Sequence, residues 1–395
     1  MYCSAKEIAG DRADDFERLA LTLNGVIKRS KEDSVGLQPE KFSGYQILKK
    51  GELVFKLIDL ENVATSRVGL SPYTGIVSPA YIVLSKQSRA KDLVVRYSMY
   101  HFLSMWQREI FNQMGDNGVR SSLNTKELLN IPHPFPSICE QKRIVTFLDA
   151  QCAEIDTVLE KTRASIEEYK KLKQAVITQA VTKGVRGDRP MKNSGIEWIG
   201  EIPAEWDVIR NAFLYKEKSR LPEENAVSLS LSQVDGLIAT DDMKERSLKT
   251  STYDGWTQVR THDLVLNRFK GHLGVLFAAN IEGMVSFHYG VYEPLRQFDS
   301  KFFEYLYHSD VYKAILGLKS NGMTIGLQNL SNQNFYSVYS LYPPEAEQQE
   351  IIQYLDDKCS GIDALIVQKQ EHLTEIENYK KSLIYEYVTG KKEVV

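Results

Sequence analysis

An internal repeat divides this sequence into two related halves. Residues 140–182 align without a gap on residues 347–389, a spacing of 207 positions. The first copy opens with EQKRIVTFLDAQCAEID and the second with EQQEIIQYLDDKCSGID, which agree at Glu, Gln, Ile, Leu, Asp, Cys, Ile and Asp. Agreement of this extent at one spacing indicates two copies of one structural unit, and chance is a poor explanation for it.

Each copy is predicted to be a long α-helix. Prolines precede both copies and neither contains one, while apolar residues recur at alternating spacings of four and three. At ~1.5 Å per residue, a helix of this extent would run roughly 65 Å, several times the length of a helix in a globular domain. The predicted apolar seam consists of Leu148, Cys152, Ile155, Leu159, Thr162, Ile166 and Tyr169 in the first copy, and of Leu355, Cys359, Ile362, Ile366, Lys369, Leu373 and Ile376 in the second.

So narrow a stripe on so long a helix favours a partner helix. For either copy alone, a buried element of its own domain is an equally good interpretation. Because two copies with matching register are separated by a large domain, we expect them to pack on each other, antiparallel, around a pseudo-two-fold axis. Thr162 and Lys369 would then form a polar layer near the middle, and Cys152 and Cys359 would lie too far apart for a disulfide.

The segments before the two helices are related more faintly. KGELVFK at Lys50 resembles THDLVLNR at Thr261, and GIVSPAY at Gly75 resembles GMVSFHY at Gly283. NGVRSSLN at Asn117 falls where NGMTIGLQ falls at Asn321. These pieces have the composition of short strands separated by turns, with helix-like stretches near residues 98–113 and 301–316.

The predicted fold class is therefore α+β, with two α/β domains separated by two long helices. The predicted boundaries are 1–137 for the first domain, 138–190 for the first long helix and a linker, 191–344 for the second domain and 345–395 for the second long helix.

Composition excludes several other classes. No run of eighteen apolar residues and no basic-then-apolar leader is present in this sequence, so we expect a cytoplasmic protein without a membrane segment. The four cysteines form no CxxC pair, which argues against a zinc site or a disulfide framework. The net charge of -3 means that contact with nucleic acid would have to come from local patches.

This organisation resembles the specificity subunits of type I restriction-modification systems over nearly the whole chain. The most specific motif is SGIEWIGEIPAEW at residues 194–206, which resembles the segment that opens a target-recognition domain in that family. The segments PSICEQKRIVTFLD and PPEAEQQEIIQYLD resemble the starts of its conserved helices, and GVRSSLN and VFKLIDLENVATSRVG resemble parts of one class of its recognition domains. SGIEWIGEIPAEW precedes the second domain only, so we expect the first domain to lack roughly its first twenty residues.

The resemblance implies a fold and a function. Two α/β target-recognition domains would be joined and held apart by an antiparallel pair of long helices. Each domain would read one half of a bipartite double-stranded DNA target, and the helices would set the gap. The implied partners are two methyltransferase subunits, which use S-adenosylmethionine, and restriction subunits, which use ATP. The chain itself would hold no cofactor and carry no catalytic site.

Residues that could read DNA can be selected by their chemistry. Cations bind phosphate, Arg pairs well with guanine, and Asn or Gln pairs well with adenine. For any one residue, a solvated charge or a turn former is the simpler interpretation, so clusters carry more weight than their members. The candidates are Lys28, Arg29, Arg67, Arg120, Ser121 and Asn124 in the first domain, and Asn267, Arg268, Lys270, His272, His288, Lys319, Asn321 and Gln328 in the second.

Enzymatic signatures are missing from the sequence. It contains no GxxxxGK[ST] loop, which would bind the phosphates of a nucleotide. A DNA amino-methyltransferase would need an Asn/Asp-Pro-Pro-aromatic motif, whereas the one Pro-Pro pair of this sequence lies in YPPE at the start of a helix. Its histidines and carboxylates show no spacing typical of a metal site. The alternative function is a coiled-coil scaffold with two protein-binding domains. DNA affinity that depends on salt and on base sequence would separate the two interpretations.

Overall fold

Parts of the chain that are distant in sequence come together in each half of the structure. The computed structural model describes residues 1–23, 25–33, 41–58, 67–114, 122–233, 235–243, 254–320 and 328–394. The chain forms two compact units, the first comprising Met1–Arg163 and Glu371–Val395, and the second Ala164–Gln370. Each unit therefore combines a β-rich domain with part of both repeat segments, and the four-part division of the sequence stays a prediction.

The first unit contains two sheets and a helix, α1, that packs against one of them. Its described elements are β1 (Tyr2–Ser4), β2 (Arg18–Thr22), β3 (Gly25–Arg29), β4 (Gln46–Leu48), β5 (Leu53–Lys56), β6 (Arg67–Leu70), β7 (Gly75–Val77), β8 (Ile82–Lys86), α1 (Val95–Gln107), α2 (Thr125–Leu129) and most of α3 (Ile138–Lys183). The strand orders are β1-β8-β5-β6 and β3-β2-β7-β4. Leu53, Val54 and Phe55 are all fully buried because β5 is covered by apolar clusters on both faces.

The second unit repeats much of this arrangement. Its described elements, besides the end of α3, are β9 (Met191–Asn193), β10 (Glu201–Pro203), β11 (Asp207–Arg210), β12 (Tyr215–Glu217), β13 (Leu229–Ser232), β14 (Gly236–Ala239), β15 (Thr257–Val259), β16 (Leu264–Asn267), β17 (Leu276–Ala278), β18 (Gly283–Val285), β19 (Tyr289–Pro294), α4 (Ser300–His308), α5 (Asp310–Lys319), α6 (Asn332–Ser337), β20 (Tyr339–Tyr342) and most of α7 (Glu345–Val388). Its four-stranded sheet has the order β12-β19-β16-β17, which corresponds to β1-β8-β5-β6, while β13-β14 and β15-β18 form separate pairs.

The turn before the central strand has the same structure in both units. Gly51 and His262 both adopt a positive φ, of 86° and 70°. A carboxylate follows each of them, and Asp263 accepts a hydrogen bond from the backbone N–H of Arg260 at 2.8 Å, as Glu52 does from the third residue before it at 2.7 Å. The aligned segments KGELVFK and THDLVLNR therefore form the same turn and strand.

The two long helices α3 and α7 span 46 and 44 residues. In the first unit they run antiparallel, since Lys380 donates to Asp156 at 2.5 Å and Arg163 donates to Glu377 at 2.6 Å. The predicted α+β class, with two β-rich domains and two long helices packed together, is confirmed.

The same antiparallel direction holds in the second unit. Lys173 donates to Asp363 at 2.6 Å, and the Lys369 ammonium lies 5.5 Å from the centre of the Tyr169 ring. The Thr162 hydroxyl donates to a backbone carbonyl of its own helix, that of Val158. Each of these two polar residues thus has a partner in its own unit, and the polar layer expected from the sequence stays a prediction.

Burial along the seam is graded. Fully or nearly buried positions are Leu148, Cys152, Ile155, Leu159, Ile166, Leu355, Cys359 and Ile362, whereas Thr162, Tyr169, Ile366, Lys369, Leu373 and Ile376 are partly exposed. All four cysteines are free, Cys3 and Cys139 at the surface and the two seam cysteines in the interior.

A domain helix packs on both long helices in each unit. Tyr97 and Tyr100 of α1 join an apolar cluster with residues from the start of α3 and the end of α7, and Tyr97 donates to the backbone carbonyl of Val388 at 2.9 Å. Tyr100 also donates to Asp149 at 2.6 Å. In the second unit Tyr305 donates to Asp356, the residue that the repeat aligns with Asp149. Burial, with the neighbouring carboxylate, raises the pKa of Tyr100 and Tyr305, so both hydroxyls keep the proton that they donate.

Within each domain, glycine is required at one point where two β-strands approach each other unusually closely. A Cβ added at Gly75 would lie 2.5 Å from the Glu17 carbonyl oxygen and 2.7 Å from Leu19 Cγ. At the aligned Gly283, a Cβ would meet the backbone carbonyl oxygen of Val227 and would lie 2.8 Å from Leu229 Cγ. These glycines open the segments GIVSPAY and GMVSFHY, so the resemblance between the segments reflects a shared steric constraint.

We therefore expect Gly283→Ala to lower the free energy of unfolding by about 1 to 3 kcal/mol, because the backbone next to the new methyl group cannot move without breaking the sheet. Gly361→Ala is the matched control. Gly361 lies in α7 with open space around it, so alanine there should raise stability by up to ~1 kcal/mol through its helix propensity. Urea unfolding measures both changes, and destabilisation of similar size at the two positions would contradict this account.

Candidate nucleic-acid interface

Five candidate residues of the second unit lie in or beside the turn that follows β16. Asn267 ends β16, and its side-chain oxygen accepts hydrogen bonds from the backbone N–H groups of Phe269 at 3.1 Å and Lys270 at 3.2 Å. The chain then forms a short 3-10 helix, Gly271–Leu273, which contains His272. An asparagine in this role fixes the direction of the turn, so Asn267 shapes the loop whether or not it contacts a ligand.

The Arg268 side chain joins this turn to two other parts of the domain. Its guanidinium donates to Glu217 of β12 and, at 3.0 Å, to Asn332 at the start of α6. Asn332 in turn donates to Glu217 and accepts from the Tyr292 hydroxyl at 2.6 Å. Because only 25% of the Arg268 side chain is exposed and both of its terminal nitrogens donate within the domain, the geometry fits a residue that holds the loop better than one that reads a base.

The backbone of the same arginine connects two loops. The Arg268 N–H donates to the carbonyl of His288 at 3.3 Å, and the Arg268 carbonyl accepts from the N–H of Leu330 at 2.9 Å. His288 lies in the connection between β18 and β19. The structure therefore brings together the segments NRFKGH and SFHY, which residues 273–285 separate in the sequence.

The remaining candidates of the second unit differ in exposure. Lys270 and His288 are exposed, and Lys319 is exposed at the end of α5. Gln328 is half-buried, and Asn321 lies outside the described residues. Lys270 and His288 are therefore the polar candidates of the turn that a ligand reaches most readily.

Most of the first-unit candidates have partners within the domain. Lys28 pairs with Glu17 at 2.6 Å, and Arg29 pairs with Asp33 at 2.6 Å. Asn124 caps α2, where its side chain accepts two backbone hydrogen bonds. Arg120 and Ser121 lie outside the described residues.

Three arginines of the first unit interact electrostatically with Tyr81. Burial raises the pKa of Tyr81, while the positive charges of Arg18, Arg29 and Arg67 oppose that rise, so all three lie close enough to interact with it. Arg67 also lies over the Trp106 ring, 5.9 Å from its centre. Arg29 and Arg67 were selected from the sequence, and Arg18 was missed because a buried arginine in a strand carries no local signal.

Two further residues missed from the sequence are aromatic. Phe269 and Phe287 are 44% and 63% exposed, and they lie against His288 with ring centres 5.5 Å and 4.0 Å from it. Both lie within the segments NRFKGH and SFHY, in which only cationic and hydrogen-bonding side chains were selected as candidates.

The described residues contain no group of three His, Cys, Asp or Glu side chains that could hold a metal ion. Among the described helices, none is both long and apolar enough to cross a membrane.

Comparison with known proteins identifies the fold. No protein-family model and no curated protein matches this sequence. A chain from a structure concerning complex assembly and conformational transition of the type I R-M system aligns with 98% of this chain and 97% of its own, with a TM-score of 0.68 and 13% identity. The chain has the fold of that type I R-M protein. The resemblance inferred from the sequence is confirmed at the level of the fold.

Two more solved structures align over similar lengths. The HsdS subunit from Thermoanaerobacter tengcongensis has 14% identity and a TM-score of 0.47, with 99% of this chain and 95% of that chain covered. The type I restriction-modification system S subunit from M. genitalium has 12% identity and a TM-score of 0.35, with 98% and 96% covered. The fold is therefore assigned from the type I R-M chain that aligns with a TM-score of 0.68.

We expect Asn332→Ala to destabilise the second unit by about 2 kcal/mol, because it leaves the Tyr292 hydroxyl and part of Arg268 without a partner in a partly buried site. Asn280→Ala, at an exposed asparagine of the same unit, is the control and should change stability by less than about 0.5 kcal/mol. The free energies come from urea unfolding. If both variants unfold like the unaltered protein, the Arg268 network does not hold the loop.

Proposed function

We propose that this chain is the DNA-recognition subunit of a type I restriction-modification complex. The β-rich domains within residues 1–137 and 191–344 each read one half of a bipartite double-stranded target. The chain is non-catalytic. It docks two methyltransferase subunits, which use S-adenosylmethionine, and restriction subunits, which use ATP.

One observation carries this proposal. Over 98% of its length the chain has the fold of a type I R-M protein. In each unit of that fold, a β-rich domain packs against both long helices. A non-catalytic reader needs a rigid base and side chains that present cations and paired hydrogen-bonding groups. In the second unit the exposed Lys270 supplies a cation and the exposed His288 supplies a hydrogen-bonding group.

The decisive experiment is to reconstitute the chain with its methyltransferase subunits and to map the methylated sites in random DNA. We expect two short specified half-sites with an unspecified gap, and an affinity that falls steeply with salt. Binding without sequence preference, or no DNA binding at all, would leave the scaffold interpretation as the better one.

We expect Lys270→Ala to affect only the half-site read by the second unit. If Lys270 contacts a phosphate, affinity falls for all sequences of that half-site, and the slope of log affinity against log salt decreases by about one. Lys192→Ala, at an exposed lysine in β9, is the matched control and should bind as the unaltered chain does. A loss of both half-sites from Lys270→Ala would mean that the two domains do not read independently.

We also propose that the helices α3 and α7 set the length of the gap. Inserting four residues into each helix, near Thr162 and near Lys369, lengthens each by about 6 Å, or roughly two base pairs of B-DNA. The gap in the methylated sites should then grow while both half-site sequences stay the same. An unchanged gap in an active, folded variant would refute this part of the proposal.

A further inference from the structure

Two phenylalanines and a histidine form an exposed aromatic cluster on the second unit. The Phe287 and His288 rings are 4.0 Å apart at 43°, and the Phe269 and His288 rings are 5.5 Å apart at 60°. With 63% of Phe287 and 44% of Phe269 exposed, this cluster presents apolar surface beside the exposed Lys270.

The backbone holds both phenylalanines in place. The Phe269 N–H donates to the Asn267 side chain at 3.1 Å, and the turn that contains Phe287 closes through a hydrogen bond from the Tyr289 N–H to the Ser286 carbonyl at 3.0 Å. The two loops are joined by the bond between Arg268 and His288. The rings are therefore presented on a fixed backbone, which lowers the entropy that a ligand would have to remove.

We propose that Phe287, supported by Phe269 and His288, contacts a thymine methyl group in the half-site that the second unit reads. The proposal rests on the DNA-recognition function above. The 5-methyl of thymine is the apolar feature of the major-groove edge, and phenylalanine is one of the side chains that contact it. An apolar spot beside Lys270 matches a methyl group in a groove that phosphates flank.

The arrangement of the rings favours this contact over insertion between base pairs. Each phenylalanine already lies against His288, so a neighbour occupies one side of its ring. A ring that wedges between two base steps needs its faces free to meet the bases. A supported ring with an open edge is suited to pack against a methyl group.

The test compares thymine with deoxyuridine, which lacks the 5-methyl group. The chain, reconstituted with its methyltransferase subunits, selects its target from random duplexes, and the selected duplex is then made with deoxyuridine at one thymine position at a time. We expect roughly a three- to fivefold loss of affinity at one position of the second-unit half-site, as for one buried methyl group. Phe287→Ala should show a similar loss on the thymine duplex and no further loss on the deoxyuridine duplex.

Phe213→Ala is the matched control, because Phe213 is 59% exposed in the same unit but lies outside the cluster. It should respond to deoxyuridine as the unaltered chain does, and Phe287→Leu should keep part of the thymine preference. Equal binding of both duplexes by the unaltered chain, or equal losses on both from Phe287→Ala, overturns the methyl contact. If the unaltered chain selects no bipartite target, the DNA-recognition function itself fails.

Discussion

The simultaneous packing of a domain helix on both long helices is the contact on which each unit depends. Helices in proteins gain most of their stability from tertiary packing of an apolar face, so a long helix with a narrow apolar stripe depends on what covers that stripe. The ion pairs between α3 and α7 are largely exposed, and exposed pairs contribute only about 0.2 to 1 kcal/mol each. Full burial of one leucine side chain contributes about 1.5 to 3 kcal/mol, so Leu148 and Leu355, both fully buried, outweigh the ion pairs. The apolar seam stabilises the pair, and the charges mainly help to select its antiparallel register.

The packing of the domain on the two long helices determines what the loops of the second unit can do. Its four-stranded sheet holds β12, β16 and β19 in register, and the Arg268 network then joins the turn after β16 to β12 and α6. A loop fixed by such a network loses little conformational freedom when a ligand binds. The network therefore suits a recognition surface even though Arg268 itself is occupied by Glu217 and Asn332.

The sequence predicted the long helices, the α+β class and the segments that form the central strands, because these follow from periodicity and from a repeat that alignment reveals. It could not predict the partners of Arg268, since Glu217 and Asn332 lie 51 and 64 residues away in the chain. The cap at Asn124 was within reach, because Asn124 and Glu127 form the spacing of a capping box. Chemistry alone selected it as a base reader, whereas the local structure uses it to begin a helix.

Comparison of the two units separates the frame of the domain from its variable surface. The turn before the central strand keeps its carboxylate as Glu52 and Asp263, and the close strand contact keeps its glycine in both copies. After the central strand the copies diverge, since Asn267 and Arg268 align with Lys56 and the buried Leu57. Under the proposed function, a shared frame with different turns would let the two domains read different half-sites from equivalent positions. Asymmetry of the DNA target would then arise in the turns, while the attachment of each domain to the helix pair stays the same.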